Sequence, residues 1–248
     1  MNTRLLAFDT STEALSVALQ CDAGLLLCNA AGGAAASATL LPQIRTLLQR
    51  GGITLAQLQA IAFGNGPGAF TGLRTACAVA QGLALGAALP VVPLDSLMIV
   101  AEGARGVSGV TASAGDDIAA DIDVVMDARM GEVYAARYRW CAPRWQVLAA
   151  PALLTLEALH ARWLQQPPRW VAGSALPVFG AALHCGDARR SEHDFDRAAA
   201  LARLAQQCWR DSGGIDAAAA LPLYLRDKVA LTTAERDALR RAQAAGAT

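Results

Sequence analysis

The sequence predicts a bilobal α/β fold with mixed β-sheets flanked by helices. An apolar run ending in aspartate, followed by a polar turn and a second strand, occurs twice: Leu5–Phe8 with Asp9, and Ile122–Met126 with Asp127. A strand running into glycine also occurs twice, at Ala60–Gly64 and Arg169–Gly173. Helical sequence follows each junction. Sequence identity between the halves is low, so the order of elements carries the inference of a repeat.

Element by element, Leu5–Phe8 reads as a strand and Asp9-Thr10-Ser11-Thr12 as a polar turn. Leu15–Leu19 is a second strand, and Asp22-Ala23-Gly24 turns the chain into a third, Leu25–Cys28. The Ala/Gly stretch Ala30–Ala38 reads as a flexible loop. Leu40, Leu41, Ile44, Leu47 and Leu48 have helical spacing, and Gly51-Gly52 stops the helix. After the strand at Ala60, the run Gly64-Asn65-Gly66-Pro67-Gly68-Ala69-Phe70-Thr71-Gly72-Leu73-Arg74 opens a long helix, about 71–88. Pro90-Val-Val-Pro93 then reads as a strand, and Ser96 as the cap of a helix ending near Gly103. Residues 106–121 lack periodicity and read as a linker. The second unit brings strands at 122–127 and 132–138, a third at Trp170, and a helix at 196–210. Thr232-Thr233-Ala234-Glu235 has capping-box form and opens a short surface helix. The expected domains are an N-terminal lobe 1–105, the linker 106–121, a C-terminal lobe 122–230 and a tail 231–248.

Composition narrows the function. The chain has 248 residues, 54% hydrophobic and 17% charged, with a mean hydropathy of +0.31. Lys plus Arg and Asp plus Glu are 21 each. A protein that grips nucleic acid alone needs a basic excess to neutralise phosphates. The six cysteines are scattered without a C-x-x-C pair, which fits reduced thiols in a cytoplasmic protein rather than a disulfide framework or zinc site. Residues 75–94 carry no charge, but Gln81 and the prolines at 90 and 93 favour a buried or interface helix over a membrane span.

Candidate chemistry is sparse. The glycine loop could hold an anion at the helix N-terminus, or let strand and helix approach closely. It lacks the Lys-Ser/Thr pair of a phosphate-binding P-loop and the spacing of a dinucleotide fingerprint. Asp9, Thr10, Thr12, Gly66, Gly68 and Asp127 form the candidate set for weak nucleotide or magnesium binding, with Asp9 and Asp127 facing each other across a cleft. The alternative for the Asp9 turn is plain capping. His160, His184 and His193 are dispersed in sequence, and neither a metal site nor a recognisable nucleophile emerges. No catalytic residue is assigned. Ala78, Gly82 and Gly86, spaced four apart, let another helix approach closely. With Arg74 and the apolar positions Leu40, Leu41, Ile44, Leu47 and Leu48, they form the candidate partner surface.

Several of these blocks together resemble one known family. Phe8–Thr12, Gly64–Arg74, Ala80-Gln81-Gly82-Leu83-Ala84, Asp127-Ala128-Arg129-Met130-Gly131-Glu132-Val133-Tyr134 and Tyr224-Leu225-Arg226 occur in the order seen in the TsaB (YeaZ) family. The resemblance runs from Leu5 to about Ala230. It implies an actin-like, sugar-kinase-like fold. It also implies a non-catalytic role in the machinery that adds threonylcarbamoyl to the adenosine beside the tRNA anticodon. The implied partners are the metal-bearing transferase TsaD and the ATPase TsaE, with a homodimer when TsaD is absent and tRNA contacted only indirectly. The His-x-x-x-His metal motif of the transferase has no counterpart in Ala34–Leu41, so that metal is not expected. The alternatives are an independent kinase-like enzyme of the same fold, or a peptidase.

Overall fold

The computed structural model describes residues 3–107, 121–192 and 195–226. His193, the expected tail helix and all but the ends of the expected linker lie outside them. The first sheet contains β1 (Leu5–Asp9), β2 (Ala14–Cys21), β3 (Gly24–Ala31), β4 (Ala60–Gly66) and β5 (Val91–Asp95), in the order β3-β2-β1-β4-β5. The second contains β6 (Asp121–Asp127), β7 (Glu132–Cys141), β8 (Arg144–Thr155), β9 (Trp170–Ala172) and β10 (Arg189–Ser191), in the order β8-β7-β6-β9-β10. The two orders are the same permutation. In each, the first three strands are antiparallel neighbours and the last two extend the sheet in parallel. The duplication inferred from element order is thus present in the pairing itself.

Helices occupy equivalent places. α1 (Ala36–Gly51) and α4 (Leu156–Gln165) follow the third strand of each unit. α2 (Phe70–Ala87) and the short α5 (Ala175–Phe179) follow the fourth, and α3 (Ser96–Val107) and α6 (Arg197–Ser212) the fifth. The Ala/Gly stretch expected as a loop is instead ordered. Ala30 and Ala31 end β3, and Ala36 opens α1, because alanine favours helix once a preceding turn has started it.

Alternation along β1 splits the first core in two. Leu6 and Phe8 face α1 and α2, meeting Leu40, Ile44, Leu47, Ala76 and Ala80. Leu5 and Ala7 face the opposite way, with Ala18, Ala60 and Ala62, against Ala200, Leu201, Leu204 and Ala205 of α6. The small residues on both sides let helix and sheet approach closely. α3 does the converse. Its Leu97, Val100, Ala101 and Ala104 pack on Ile122, Val124, Met126 and Tyr138 of the second sheet. Each lobe therefore covers the inner sheet of the other with its last helix. The helix predicted at 196–210 follows the second unit in order but packs on the first sheet, and Ala217 and Ala220 also join the first-lobe core.

Candidate functional site

β1 ends on Asp9, whose carboxylate lies fully buried beneath the groove between the lobes. Arg197, in the first turn of α6, donates from Nε and Nη2 to Asp9 Oδ2 at 3.0 and 2.7 Å. Ser11 Oγ donates to the same oxygen at 2.9 Å, and Ser96 Oγ to Oδ1 at 3.3 Å. Gly64 is bare because a Cβ there would sit 1.9 Å from Asp9 Oδ1. Asp9 therefore does not face Asp127 across the cleft as expected. Its charge is matched by a guanidinium.

Arg197 was the residue the sequence did not flag. A positive charge in the first turn of a helix opposes the macrodipole, and that misplaced charge was the available signal of a buried acidic partner. Ser96 likewise does not cap α3. Asp95 does, accepting from Leu97 N at 2.9 Å and Met98 N at 3.3 Å. Burial pushes the Asp95 carboxyl up, against hydrogen bonds from Tyr138 and these two amides.

The glycine loop packs against protein. A Cβ on Gly72 would meet Thr10 O at 1.8 Å, one on Gly68 would meet Ser11 O at 2.4 Å, and one on Gly66 would meet Leu223 O at 2.6 Å. Gly66 also has φ +118°, which side-chain-bearing residues rarely adopt. Thr10 Oγ1 donates to Gly72 O at 2.7 Å, tying β1 to α2. The close-packing reading of the loop accounts for these positions.

A cavity of about 790 Å³ lies between the lobes, lined in part by Ser11, Thr12, Gly68, Phe70, Asp127 and Arg197. Thr10 and Gly66 are outside its lining. Thr12 Oγ1 donates to Ala14 O at 3.2 Å. Asp127 accepts from Arg129 N at 2.9 Å, and Arg129 Nη2 reaches Glu13 Oε1 across the groove at 3.2 Å. Among the described residues no group of three or more His, Cys, Asp or Glu is placed to hold a metal ion. His160 and His184, distant in sequence, stack with ring centroids 4.7 Å apart in the second lobe.

The candidate partner residues divide. Leu40, Ile44 and Leu47 belong to the chain's own core and are corrected as contacts, because the stripe that signalled an apolar face is the one that covers the sheet. Leu41 is exposed and Leu48 half-buried. Arg74, Ala78, Gly82 and Gly86 are all exposed, and a Cβ on Gly82 or Gly86 would meet nothing within 4 Å. Leu85 is also exposed. α1 and α2 pack beside one another, so these positions lie on adjoining helices. The Arg74 guanidinium sits 3.9 Å from the Phe70 ring centre, and its Nε donates to Tyr224 Oη at 3.0 Å.

Comparison with known proteins places this arrangement. A family model described as TsaD, tRNA N6-adenosine threonylcarbamoyltransferase, matches residues 33–169. The chain is 35% identical over 236 residues to the tRNA threonylcarbamoyladenosine biosynthesis protein TsaB of Escherichia coli (strain K12), covering 92% of this chain and 96% of that protein. The chain belongs to the TsaB family. A TsaB of Haemophilus influenzae is 41% identical over 133 residues, 54% of this chain and 52% of that one. YeaZ from Pseudomonas aeruginosa superposes with a TM-score of 0.77 at 34% identity, covering 90% of this chain and 100% of that structure. The actin-like fold of this TsaB-family chain follows from that likeness and from its two equivalent sheets. Among the described residues no helix is long and apolar enough to cross a membrane.

Proposed function

We propose that this chain is a non-catalytic docking subunit in the biosynthesis of threonylcarbamoyladenosine on tRNA, pairing through α1 and α2 with a TsaD-type transferase. The observation that carries the reading is the open stripe of Ala78, Gly82 and Gly86, flanked by exposed Leu85 and Leu41. A bare stripe beside exposed leucines suits close helix–helix approach. The match of a TsaD model to residues 33–169, which include both helices, supports a partner with a helix pair of the same build. Two such pairs can meet as four packed helices. The relatives named TsaB supply the pathway.

An accessory role also fits the cleft. Asp9 is neutralised by Arg197, and the glycines of the loop are packed against backbone and side chains, so a tightly held magnesium nucleotide is not part of this reading. An ATPase of the TsaE type would join the pair as a further subunit.

Titration calorimetry against the TsaD-type transferase of the same organism tests the docking face. Gly82→Leu should weaken the complex by about 1–3 kcal/mol, the usual scale of overpacking, while circular dichroism stays unchanged because nothing in the chain itself is crowded. Unchanged affinity would place the interface elsewhere.

A further inference from the structure

The charge on the docking face is one-sided. α1 and α2 together carry Arg45, Arg50 and Arg74 and contain no Asp or Glu. All three arginines are exposed, and none has an ion-pair partner among the described residues. The chain as a whole has no net charge, so this excess is local. The carboxylates that balance it lie elsewhere. Asp9 and Glu102 are buried against Arg197, Arg105 and Arg203, and Glu13 and Asp22 occupy turns.

Arg74 is also held in place. Phe70 lies under its guanidinium, Tyr224 accepts from its Nε, and the two rings are 5.0 Å apart. Its terminal nitrogens Nη1 and Nη2 donate to no acceptor among the described residues. A pre-positioned guanidinium loses less rotamer freedom when it binds a carboxylate than a free one does. Arg74 sits one helical turn before Ala78 on the small stripe, and Arg45 one turn after the exposed Leu41.

We infer that the α1–α2 face selects an acidic helical partner, with carboxylates opposite Arg74 and Arg45, and disfavours a second copy of this chain by charge repulsion. The inference rests on the docking reading above. A two-fold pair of identical chains presents the same patch from both sides. It would set each copy's arginines against the other's with no acidic residue on either helix to answer them, and like charges facing each other act against the wrong partner. The homodimer expected in the absence of the transferase should therefore be weak at low salt.

The experiment measures two associations of the full chain across a salt series. Binding to the TsaD-type transferase is followed by calorimetry, and self-association by sedimentation. From about 0.1 M to about 1 M salt the Debye length falls from about 10 Å to about 3 Å. Hetero-binding should weaken several-fold over that range while self-association strengthens. Arg45→Glu combined with Arg74→Glu should weaken hetero-binding at about 0.1 M salt by roughly tenfold, with the thermal melt checking the fold. If Gly82→Leu disrupts the complex but neither charge reversal nor salt changes its affinity, the charge inference fails and the docking face stands. If Gly82→Leu has no effect, the docking face itself is wrong. A tight homodimer at low salt would also overturn the inference.

Discussion

Gly72 and Gly82 occupy the same helix and have opposite surroundings. A methyl group on Gly72 would collide with the Thr10 carbonyl at 1.8 Å, a backbone atom that cannot move aside without breaking the Thr10–Gly72 hydrogen bond. One on Gly82 would point into open space. Gly72→Ala should lower the melting temperature through strain of about 1–3 kcal/mol or more, whereas Gly82→Ala should raise it through better helix propensity of about 1 kcal/mol. Equal shifts in thermal melts would contradict this account of the two glycines. At this scale the sequence identified the glycines but could not say what each one avoids, because the carbonyl beside Gly72 comes from a distant turn. The same holds for Asp9. A carboxylate in a polar turn carries no local sign of the buried Arg197 that pairs with it from the far end of the chain.

Among the elements, α3 and α6 make the two lobes one body by crossing to each other's sheets. Glu102 of α3 ties the crossing together. Its carboxylate accepts from Arg105, from Arg203 of α6 and from Trp145 Nε1 of β8. Burial opposes its charge, but the hydrogen bonds and charges of Arg105 and Arg203 outweigh it and hold its pKa below the ordinary 4.5. A lowered folded pKa gives stability that is present above the unfolded value and is lost as the pH falls through the folded one. Glu102→Gln should therefore cost most near neutral pH, and the gap between variant and parent should narrow on acidification below 4.5. Denaturant unfolding at several pH values reads this directly, and a gap that stays constant into strong acid would contradict it. Most strands and helices were legible from periodicity and turn residues. β8 and α4 were not. β8 is an edge strand whose continuous apolar run, Val147–Leu154, lacks alternation, and α4 buries only Leu159 and Trp163, too few to mark a face. The crossing of α3 and α6 is a packing choice between two equivalent sheets, which no local pattern encodes.

At the scale of the whole molecule, zero net charge limits what the chain can grip by itself. Few phosphates can be neutralised by this chain alone, so it should bind tRNA weakly near physiological salt, and tight binding with a steep salt slope in a filter assay would contradict that. The repeat and the family were legible because they are written in element order and in several separated motifs. The division of labour between cleft and outer helices was not, because it depends on which apolar residues the fold itself consumes. The central claim is that this chain assists the transfer of threonylcarbamoyl without performing it. The most direct measurement is formation of threonylcarbamoyladenosine on tRNA by purified components, supplied with the activated threonylcarbamoyl donor. The account predicts no product from this chain alone, product with the TsaD-type transferase and ATPase present, and loss of that product when Gly82→Leu replaces the parent chain. Product from the chain alone that survives repurification and disappears in Asp127→Asn would contradict it.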